Sequence, residues 1–116
     1  MRWYLRSKVH KAIVTEAKID YTGSITIDSS LMEKARFCEG EKVAVWDITN
    51  GERLETYVIK GKRISGIICM NGAAAKRIKK NDKVVIAGFE LSDKPVKPKI
   101  ILVDKENKFI KYLWGE

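Results

Sequence analysis

The sequence predicts a mainly β protein, a small closed barrel with a few short helices, on three observations. Seven short segments rich in Val, Ile and Thr are bounded by turn residues, as strands are. Only two segments have the composition of a helix. Closure into a barrel removes the exposed edges that so many short strands would otherwise leave. The chain of 116 residues is long enough for one core, so we expect a single domain over residues 1–116.

The predicted strands follow one another along most of the chain. They are KVHKAIVT (8–15), SITID (24–28), KVAVWDI (42–48), RLETYVIK (53–60), SGIICM (65–70), KVVIAGF (83–89) and KIILVD (99–104). Pro95 and Pro98 predict a loop that joins the body of the protein to a last strand or pair of strands.

Two short helices are predicted between these strands. The segment SSLMEKARF (29–37) has Ser30 three residues before Glu33, which is the spacing of a capping box. The segment AAAKRIKK (73–80) contains strong helix formers and carries basic residues toward its C-terminus, where they complement the helix dipole.

The segment VAVWDITNGERLETYVI (43–59) predicts a β-hairpin. Asn50-Gly51 fits a two-residue turn, because both positions tolerate positive φ. Counting outward from that turn pairs Trp46 with Glu55.

Side chains alternate along a strand, so this hairpin has two distinct faces. One face carries Trp46, Arg53 and Tyr57, and the other carries Leu54, Thr56 and Val58. An aromatic ring, a guanidinium and a phenol on one face are typical of an amphipathic outer surface, and also of the wall of an anion site. Both interpretations remain open at this point.

The composition does not predict a membrane protein. The longest apolar run, VVIAGF (84–89), is far shorter than the roughly 20 residues of a spanning helix. Arg2, Arg6 and Lys8 interrupt the N-terminal segment, so it lacks the apolar centre of a signal peptide. We therefore expect a cytoplasmic protein that does not bind a membrane.

The composition also does not predict a metal site or a nucleic-acid partner. Cys38 and Cys69 are far apart, and the chain has one histidine, so the usual metal ligands are missing. Both thiols are expected to be free and partly buried. The formal charge of +8 raises nucleic acid as a partner. Because the lysines are scattered, we interpret them as a solvated surface.

Three longer segments resemble a known enzyme family. They are KVHKAIVTEAKIDYTGSITID (8–28), VWDITNGERLETYVI (45–59) and MNGAAA (70–75). No single one is specific, but together, in this order and spacing, they resemble the aspartate 1-decarboxylases, and the match extends to KPKIILVDKENK (97–108). The resemblance implies decarboxylation of L-aspartate to β-alanine for pantothenate synthesis. It also implies a six-stranded double-psi β-barrel and a homotetramer with active sites between neighbouring subunits.

The resemblance further implies that the chain cuts itself between Gly23 and Ser24. The products are a β chain (1–23) and an α chain (24–116), and Ser24 becomes a pyruvoyl group, the cofactor that forms a Schiff base with the substrate. For this, Ser24 Oγ attacks the carbonyl of Gly23 to give an ester, which is then eliminated and hydrolysed. We expect glycine at position 23 to leave the attacked carbonyl uncrowded and to permit unusual backbone angles. Spontaneous processing and processing with a helper protein both remain open alternatives at this point.

The remaining site residues are also assigned by the resemblance. Thr56 contacts the carbonyl region of Gly23 during processing, and Tyr57 donates a proton after decarboxylation. Substrate-binding positions are Arg53, Lys8, Asn71, Gly72 and Ala73, and supporting contacts are His10, Tyr21 and Trp46.

The role of Arg53 follows from transition-state reasoning. A strong ion pair to the departing α-carboxylate would stabilise the ground state and oppose the loss of CO2. We therefore expect the Arg53 fork to hold the side-chain carboxylate of aspartate, which stays. Tyr57 suits proton donation, because a phenol with a pKa near 10 is protonated at neutral pH.

The chain departs from the family pattern at Ile64 and Asn81, where the family often has glycine. Asn tolerates left-handed backbone angles, whereas Ile does not, so the loop around Ile64 is expected to be affected. The alternative function is a non-enzymatic basic β-barrel that binds nucleic acid or a protein partner. It would explain the charge but not the coincidence of all the site positions.

Overall fold

The computed structural model describes residues 1–114. Its strands are β1 (Arg2–Ile13), β2 (Glu16–Lys18), β3 (Ser24–Asp28), β4 (Lys42–Asp47), β5 (Arg53–Gly61), β6 (Ile68–Asn71), β7 (Lys83–Ser92), β8 (Lys99–Val103) and β9 (Phe109–Trp114). Its helices are α1 (Ser29–Ala35) and a 3₁₀ helix (Gly72–Lys76). The prediction of a mainly β protein with a few short helices is confirmed.

The nine strands form one sheet in the order β2-β6-β3-β5-β4-β7-β1-β8-β9. The pairs β1–β8, β2–β6 and β3–β5 are parallel, and the other neighbours are antiparallel. β3 therefore lies between β5 and β6, so that three segments far apart in sequence meet at its start. Closure of six strands into a double-psi barrel stays a prediction.

All seven predicted strands are present, and two further strands were not predicted. β2 has only three residues, too few for alternation to be visible. β9 pairs antiparallel with β8, so the loop with Pro95 and Pro98 leads into a last pair of strands, as expected. β1 begins at Arg2, six residues earlier than its predicted start.

One hydrophobic core lies against the sheet and is closed on one side by α1. Helix α1 contributes Leu31 and Met32, which are almost completely buried. The strands contribute aliphatic side chains with no exposed surface, among them Val9, Ile25, Ile27, Val45, Val58 and Ile86. In β3, Ile25 and Ile27 face this core, which leaves Ser24 and Thr26 on the opposite face.

Helix α1 is capped by the residue before its predicted start. Asp28 Oδ1 accepts hydrogen bonds from the backbone N of Ser30 at 2.8 Å and from Ser30 Oγ at 2.7 Å. The predicted capping box at Ser30 and Glu33 is therefore wrong. Asp is as good an N-cap as Ser, and here it sits directly at the end of β3.

The second predicted helix is a 3₁₀ helix of five residues, so the expected extent of 73–80 is wrong. Asn71 precedes it in an extended conformation and makes no side-chain cap. Its amide is engaged elsewhere, as described below. Without a cap, high helix propensity alone does not sustain so short a helix.

The β4–β5 hairpin has a four-residue loop rather than the predicted two-residue turn. The backbone N of Asp47 donates to Glu52 O at 2.8 Å, and Trp46 pairs with Arg53, not with Glu55. The predicted pairing is therefore wrong by two residues. A slip of two residues keeps every side chain on its predicted face, so the face assignment still holds.

The side chain of Asp47 explains the longer loop. Its Oδ1 accepts hydrogen bonds from the backbone N of Thr49 at 2.8 Å and of Asn50 at 3.1 Å. Gly51 has φ 81°, whereas Asn50 keeps a negative φ. A two-residue turn of the expected type needs positive φ at both residues, so the Asp47 bonds favour a different turn.

The two departures from the family pattern both adopt left-handed angles. Ile64 has φ 60° and Asn81 has φ 76°. The loop around Ile64 keeps this shape because Asp28 holds it: Oδ1 accepts from Ile64 N at 2.9 Å and Oδ2 from Gly66 N at 2.8 Å. The β-branched side chain is exposed, so the strain is confined to the backbone.

Cys38 and Cys69 are both free, as predicted, but their environments differ. Cys38 is exposed, contrary to expectation, and Cys69 is buried. Within residues 1–114, no helix is both long enough and apolar enough to span a bilayer.

Candidate active site

Ser24 is the first residue of β3 and is completely buried. Its hydroxyl donates to Thr22 O at 3.3 Å and accepts a hydrogen bond from Asn71 Nδ2 at 2.8 Å. Ser24 and Asn71 are direct partners in the antiparallel β3–β6 pairing. The sheet register therefore places an amide opposite the hydroxyl.

Every polar group of the Asn71 side chain has a partner. Nδ2 donates to Thr26 Oγ1 at 3.0 Å as well as to Ser24, and Oδ1 accepts from Cys69 Sγ at 3.2 Å. Asn71 is 2% exposed. Because buried polar groups are costly without partners, this network holds the amide in one orientation.

Two glycines meet at the bond before Ser24, and their backbone angles and surroundings differ. Gly23 has no positive φ, and a Cβ there would meet no atom within 4 Å beyond its chain neighbours. Gly72 has φ 69°, and a Cβ there would lie 2.7 Å from Gly23 Cα and 2.9 Å from Tyr21 O. The close approach thus depends on glycine at 72, whereas Gly23 does not adopt a positive φ.

A surface pocket of about 270 Å³ opens beside Gly23. Its walls include the predicted residues Thr56, Asn71 and Ala73, together with Arg77. Thr56 reaches the pocket because β3 and β5 are parallel, with Ile25 opposite Val58, which sets Thr56 level with Gly23. One pocket is therefore lined by four of the predicted site residues, Gly23, Thr56, Asn71 and Ala73.

Tyr57 lies on β5 next to the start of β3. Ile25 and Val58 are partners that both face the core, so Ser24 and Tyr57, one residue earlier on each strand, both point away from it. Tyr57 is 39% exposed, and its phenol hydroxyl makes no hydrogen bond to other described residues. Its phenol is therefore available to a bound molecule.

Arg53 and Trp46 form the wall of a second pocket of about 290 Å³. They are cross-strand partners, and the Arg53 guanidinium carbon lies 4.5 Å from the centre of the Trp46 ring. This cation–π contact orients the guanidinium. Leu54 and Glu55 line both pockets, so the two are neighbours along β5.

Lys8 and His10 lie on β1 and line neither pocket within one chain. β7 and β4 separate β1 from β5, which puts Lys8 on the order of 14 Å from β5 along the sheet at about 4.8 Å per strand. The predicted carboxylate-binding residues Lys8 and Arg53 therefore lie on strands that are not neighbours in the sheet.

Burial lowers the pKa of His10, and the positive charges of Lys11 and Lys8 lower it further. Its Nδ1 is buried and has no hydrogen-bond partner among residues 1–114. The imidazole is thus held neutral near pH 7 and acts as a polar group rather than a cation.

Tyr21 is 56% exposed, and its carbonyl oxygen lies close to Gly72.

Three residues around Ser24 were not predicted from the sequence. Thr26 and Cys69 contact Asn71 directly, and Arg77 lines the pocket beside Gly23. Alternation could have found two of them, because Thr26 and Cys69 lie two residues from Ser24 and Asn71 on the same strand faces. Arg77 stands in a basic run that offers no such signal.

The model of the family described as aspartate decarboxylase matches residues 1–110. The aspartate 1-decarboxylase of Caldicellulosiruptor saccharolyticus is 55% identical over 111 residues, which cover 92% of this chain and 87% of the relative. The enzymes of the same name from Acetivibrio thermocellus and Syntrophus aciditrophicus are 52% and 51% identical; the matches cover 91% and 92% of this chain, and 87% and 96% of the relatives.

Proposed function

The chain belongs to the aspartate decarboxylase family, and on that premise we propose that it is an enzyme that converts L-aspartate to β-alanine and CO2. The product serves pantothenate synthesis. The family match covers nearly the whole chain, which favours the enzyme over a basic barrel that binds nucleic acid or protein. We propose that residues 1–116 belong to one domain.

The environment of Ser24 carries the proposal. Its buried hydroxyl is held from one side by Asn71 Nδ2 at 2.8 Å, and the preceding Gly23 lines an open pocket. We propose self-cleavage between these two residues, giving chains 1–23 and 24–116. Ser24 Oγ attacks the Gly23 carbonyl carbon, the bond from that carbon to the Ser24 nitrogen breaks, and the proton lost from Oγ ends on this nitrogen, which leaves as an amine when the ester forms.

Two neighbouring side chains support this attack. The Asn71 amide donates to Ser24 Oγ, where it stabilises the negative charge that develops as the hydroxyl loses its proton. Thr56 lies level with Gly23 and lines the same pocket. We assign its hydroxyl to the Gly23 carbonyl oxygen during processing.

The residues around Ser24 fit a pyruvoyl group made from that serine. Asn71 offers an N–H donor, Gly72 presents no side chain to Gly23, and the adjoining pocket of about 270 Å³ is large enough for an amino acid. When present, the group supplies a carbonyl that accepts electrons from the bond to the departing carboxylate.

The remaining roles fall to residues on β5, β6 and β1, in the 3₁₀ helix and in the segment before β3. Arg53, oriented by Trp46, holds the side-chain carboxylate of aspartate. Tyr57 points away from the core on the same side as Ser24 and donates a proton to carbon after CO2 leaves. Lys8 holds a carboxylate of the substrate. The substrate also contacts Asn71, Gly72 and Ala73, and the site is lined by His10 and Tyr21.

The separation of these residues supports a site shared between subunits. Lys8 and His10 lie on β1, which two strands separate from the strand that carries Arg53. We propose a homotetramer in which neighbouring subunits complete each site. Exposed apolar side chains on β1, β5 and β7, at Trp3, Tyr57, Phe89 and Leu91, are suited to such contacts.

The proposal is tested by intact-mass spectrometry and a β-alanine assay on wild type, Ser24→Ala and Ser65→Ala. Wild type and Ser65→Ala should yield two chains, 1–23 and 24–116, and release β-alanine. Ser24→Ala should remain one chain and be inactive. Ser65 is an exposed serine outside the site and serves as the control. A wild-type chain that stays whole and forms no β-alanine would contradict the proposal.

A further inference from the structure

A chain of hydrogen bonds continues from Ser24 past Asn71 to Cys69. The three side chains are 0%, 2% and 2% exposed, respectively. Cys69 Sγ donates to Asn71 Oδ1 at 3.2 Å, and Asn71 Nδ2 donates to Ser24 Oγ at 2.8 Å. The next acceptors of the thiol, Glu16 Oε2 and Met70 O, are both 3.9 Å away. The thiol proton is thus directed mainly to the amide oxygen.

We propose that Cys69 is a positioning residue for self-cleavage, because its S–H group holds the Asn71 amide with the NH2 end toward Ser24. This inference rests on the proposed function. Cys69 acts through Asn71 and touches neither the attacked carbonyl nor the substrate.

The partners of the NH2 end do not fix the amide by themselves. Thr26 has a hydroxyl, which can donate as well as accept, so it would also suit an Asn71 side chain turned by 180°. Cys69 is different, because a thiol is a weak donor and its sulfur is only a weak acceptor for an N–H group. S–H donation to Oδ1 therefore favours the orientation that directs NH2 at Ser24.

The orientation matters for the reactivity of Ser24. Its hydroxyl proton is directed to Thr22 O, and its oxygen accepts from the amide. An N–H donor stabilises the charge that develops on Oγ during attack. A turned amide would place its oxygen there instead, where it would repel that charge and draw the hydroxyl proton away from Thr22.

The surroundings keep the thiol in its donor form. Burial raises the pKa of the Cys69 thiol, and the nearby Glu16 carboxylate raises it further, while Lys18 acts in the opposite direction. Cys69 is therefore protonated at neutral pH, when the proposed donation to Asn71 is needed.

The test compares Cys69→Ala, which removes the donor, with Cys69→Ser, which keeps one. Full-length proteins are incubated after rapid purification, and the fraction of cleaved chain is followed by intact mass. We expect Cys69→Ala to cleave on the order of tenfold to a hundredfold more slowly, because the nucleophile is no longer held. Cys69→Ser should restore a rate close to that of wild type.

Two further measurements separate positioning from packing. Both substitutions are placed in the Ser24→Ala background, where thermal unfolding should show that each chain is folded. In an Asn71→Ala background, Cys69→Ala should cause no further slowing, because the two residues act as a unit.

The outcomes separate this inference from the proposed function. Wild-type cleavage with Cys69→Ala at the same rate would overturn the role of Cys69 and leave the proposed function intact. Equal slowing in Cys69→Ala and Cys69→Ser, or additive slowing with Asn71→Ala, would assign Cys69 to packing and overturn the inference. A wild-type chain that never cleaves would overturn both.

Discussion

Asn71 Nδ2 lies 2.8 Å from Ser24 Oγ, and the two residues are direct partners across the β3–β6 pairing. The donor and the nucleophile are thus fixed by the same backbone hydrogen bonds that hold the sheet together. Because both side chains are buried, water does not compete for this contact. The precision of the site comes from strand register rather than from a flexible loop.

Replacing Asn71 by Ala should slow self-cleavage about a hundredfold, the usual effect of losing one donor to a developing oxyanion. Asn71→Asp should be slower still, because it puts a carboxylate beside an oxygen that becomes negative. Intact mass after timed incubation measures the rate.

Asn81→Gly is the matched control for this pair of variants. It replaces an exposed asparagine with φ 76°, where glycine fits without strain. Its cleavage rate should equal that of wild type. Rapid cleavage of Asn71→Ala would show that the amide is dispensable for processing.

Gly72→Ala should impair both stability and processing. Its φ of 69° strains an alanine, and the new Cβ would meet Gly23 Cα at 2.7 Å, on the residue whose carbonyl is attacked. We expect a loss of free energy of unfolding of more than about 1 kcal/mol, since backbone strain and collision add. Cleavage should be strongly slowed.

Gly40→Ala separates the two effects. Gly40 has φ 85°, but a Cβ there would meet no atom within 4 Å. The free energy of unfolding of Gly40→Ala, measured in urea, should be about 1 kcal/mol lower than that of wild type because of backbone strain alone. The variant should cleave at the wild-type rate. Normal processing in Gly72→Ala would instead mean that Gly23 can move away without consequence.

Features with a local signal were predictable from the sequence, and the faces of the β4–β5 hairpin are an example. Trp46 and Arg53 share a face because side chains alternate, and this holds for either register. The register itself was not predictable from Asn50-Gly51, since Asp47 offers competing bonds to the loop backbone. The side chain of Asp47, which lies outside the predicted Asn50-Gly51 turn, therefore determines the turn type.

Contacts that depend on strand order were beyond the reach of alternation alone. Ser24 and Asn71 are 47 residues apart, and only the pairing of β3 with β6 makes them partners. Cys69, by contrast, follows from Asn71 by alternation, because it lies two residues earlier on the same face of β6. The separation of Lys8 from Arg53 could not be predicted either, because it follows from the order of β5, β4, β7 and β1 in the sheet.

Arg53→Ala should weaken the preference for substrates with two carboxylates. Loss of a charge-assisted hydrogen bond is worth about 1.5 to 3 kcal/mol, so kcat/KM for L-aspartate should fall roughly tenfold to a hundredfold. The value for L-alanine, which lacks the side-chain carboxylate, should change little. The ratio of the two kcat/KM values is the measurement.

Arg63→Ala is the control for removing a positive charge. Arg63 is exposed and paired with Glu33, away from both pockets, so its loss should leave the ratio unchanged. An Arg53→Ala enzyme that still rejects L-alanine as wild type does would show that Arg53 does not hold that carboxylate.

The single histidine makes the electrostatics of β1 directly measurable. Burial and the charges of Lys11 and Lys8 lower the pKa of His10, so its imidazole signal in NMR should titrate below the ordinary value of 6.5. In Lys8→Met one of these charges is gone, and the pKa should rise while staying below 6.5. An unchanged titration in this variant would mean that Lys8 does not act on His10.

Asp47→Asn should stabilise the protein at neutral pH but not at acidic pH. Burial and the adjacent Asp82 carboxylate raise the pKa of Asp47 from 3.8 to about 6, against the hydrogen bonds from Asn50 and Thr49. Between these values the folded state binds a proton that the unfolded chain has lost. The free energy of unfolding therefore falls as pH rises from about 4 to 6, and the loss is complete above pH 6.

Asparagine at position 47 avoids this loss of free energy of unfolding, because its amide carries no charge. It keeps a side-chain oxygen that can accept the hydrogen bonds from the loop backbone. Urea unfolding in the Ser24→Ala background, which avoids processing, should show a gain on the order of 1 to 2 kcal/mol at pH 7.5 that disappears near pH 4. Asp104→Asn is the opposite control: hydrogen bonds from the backbone of Lys108 and Glu106 lower the pKa of that carboxyl, so its replacement should give no gain. If Asp47→Asn were destabilised equally at every pH, the bonds of its carboxylate to the loop would outweigh the repulsion from Asp82.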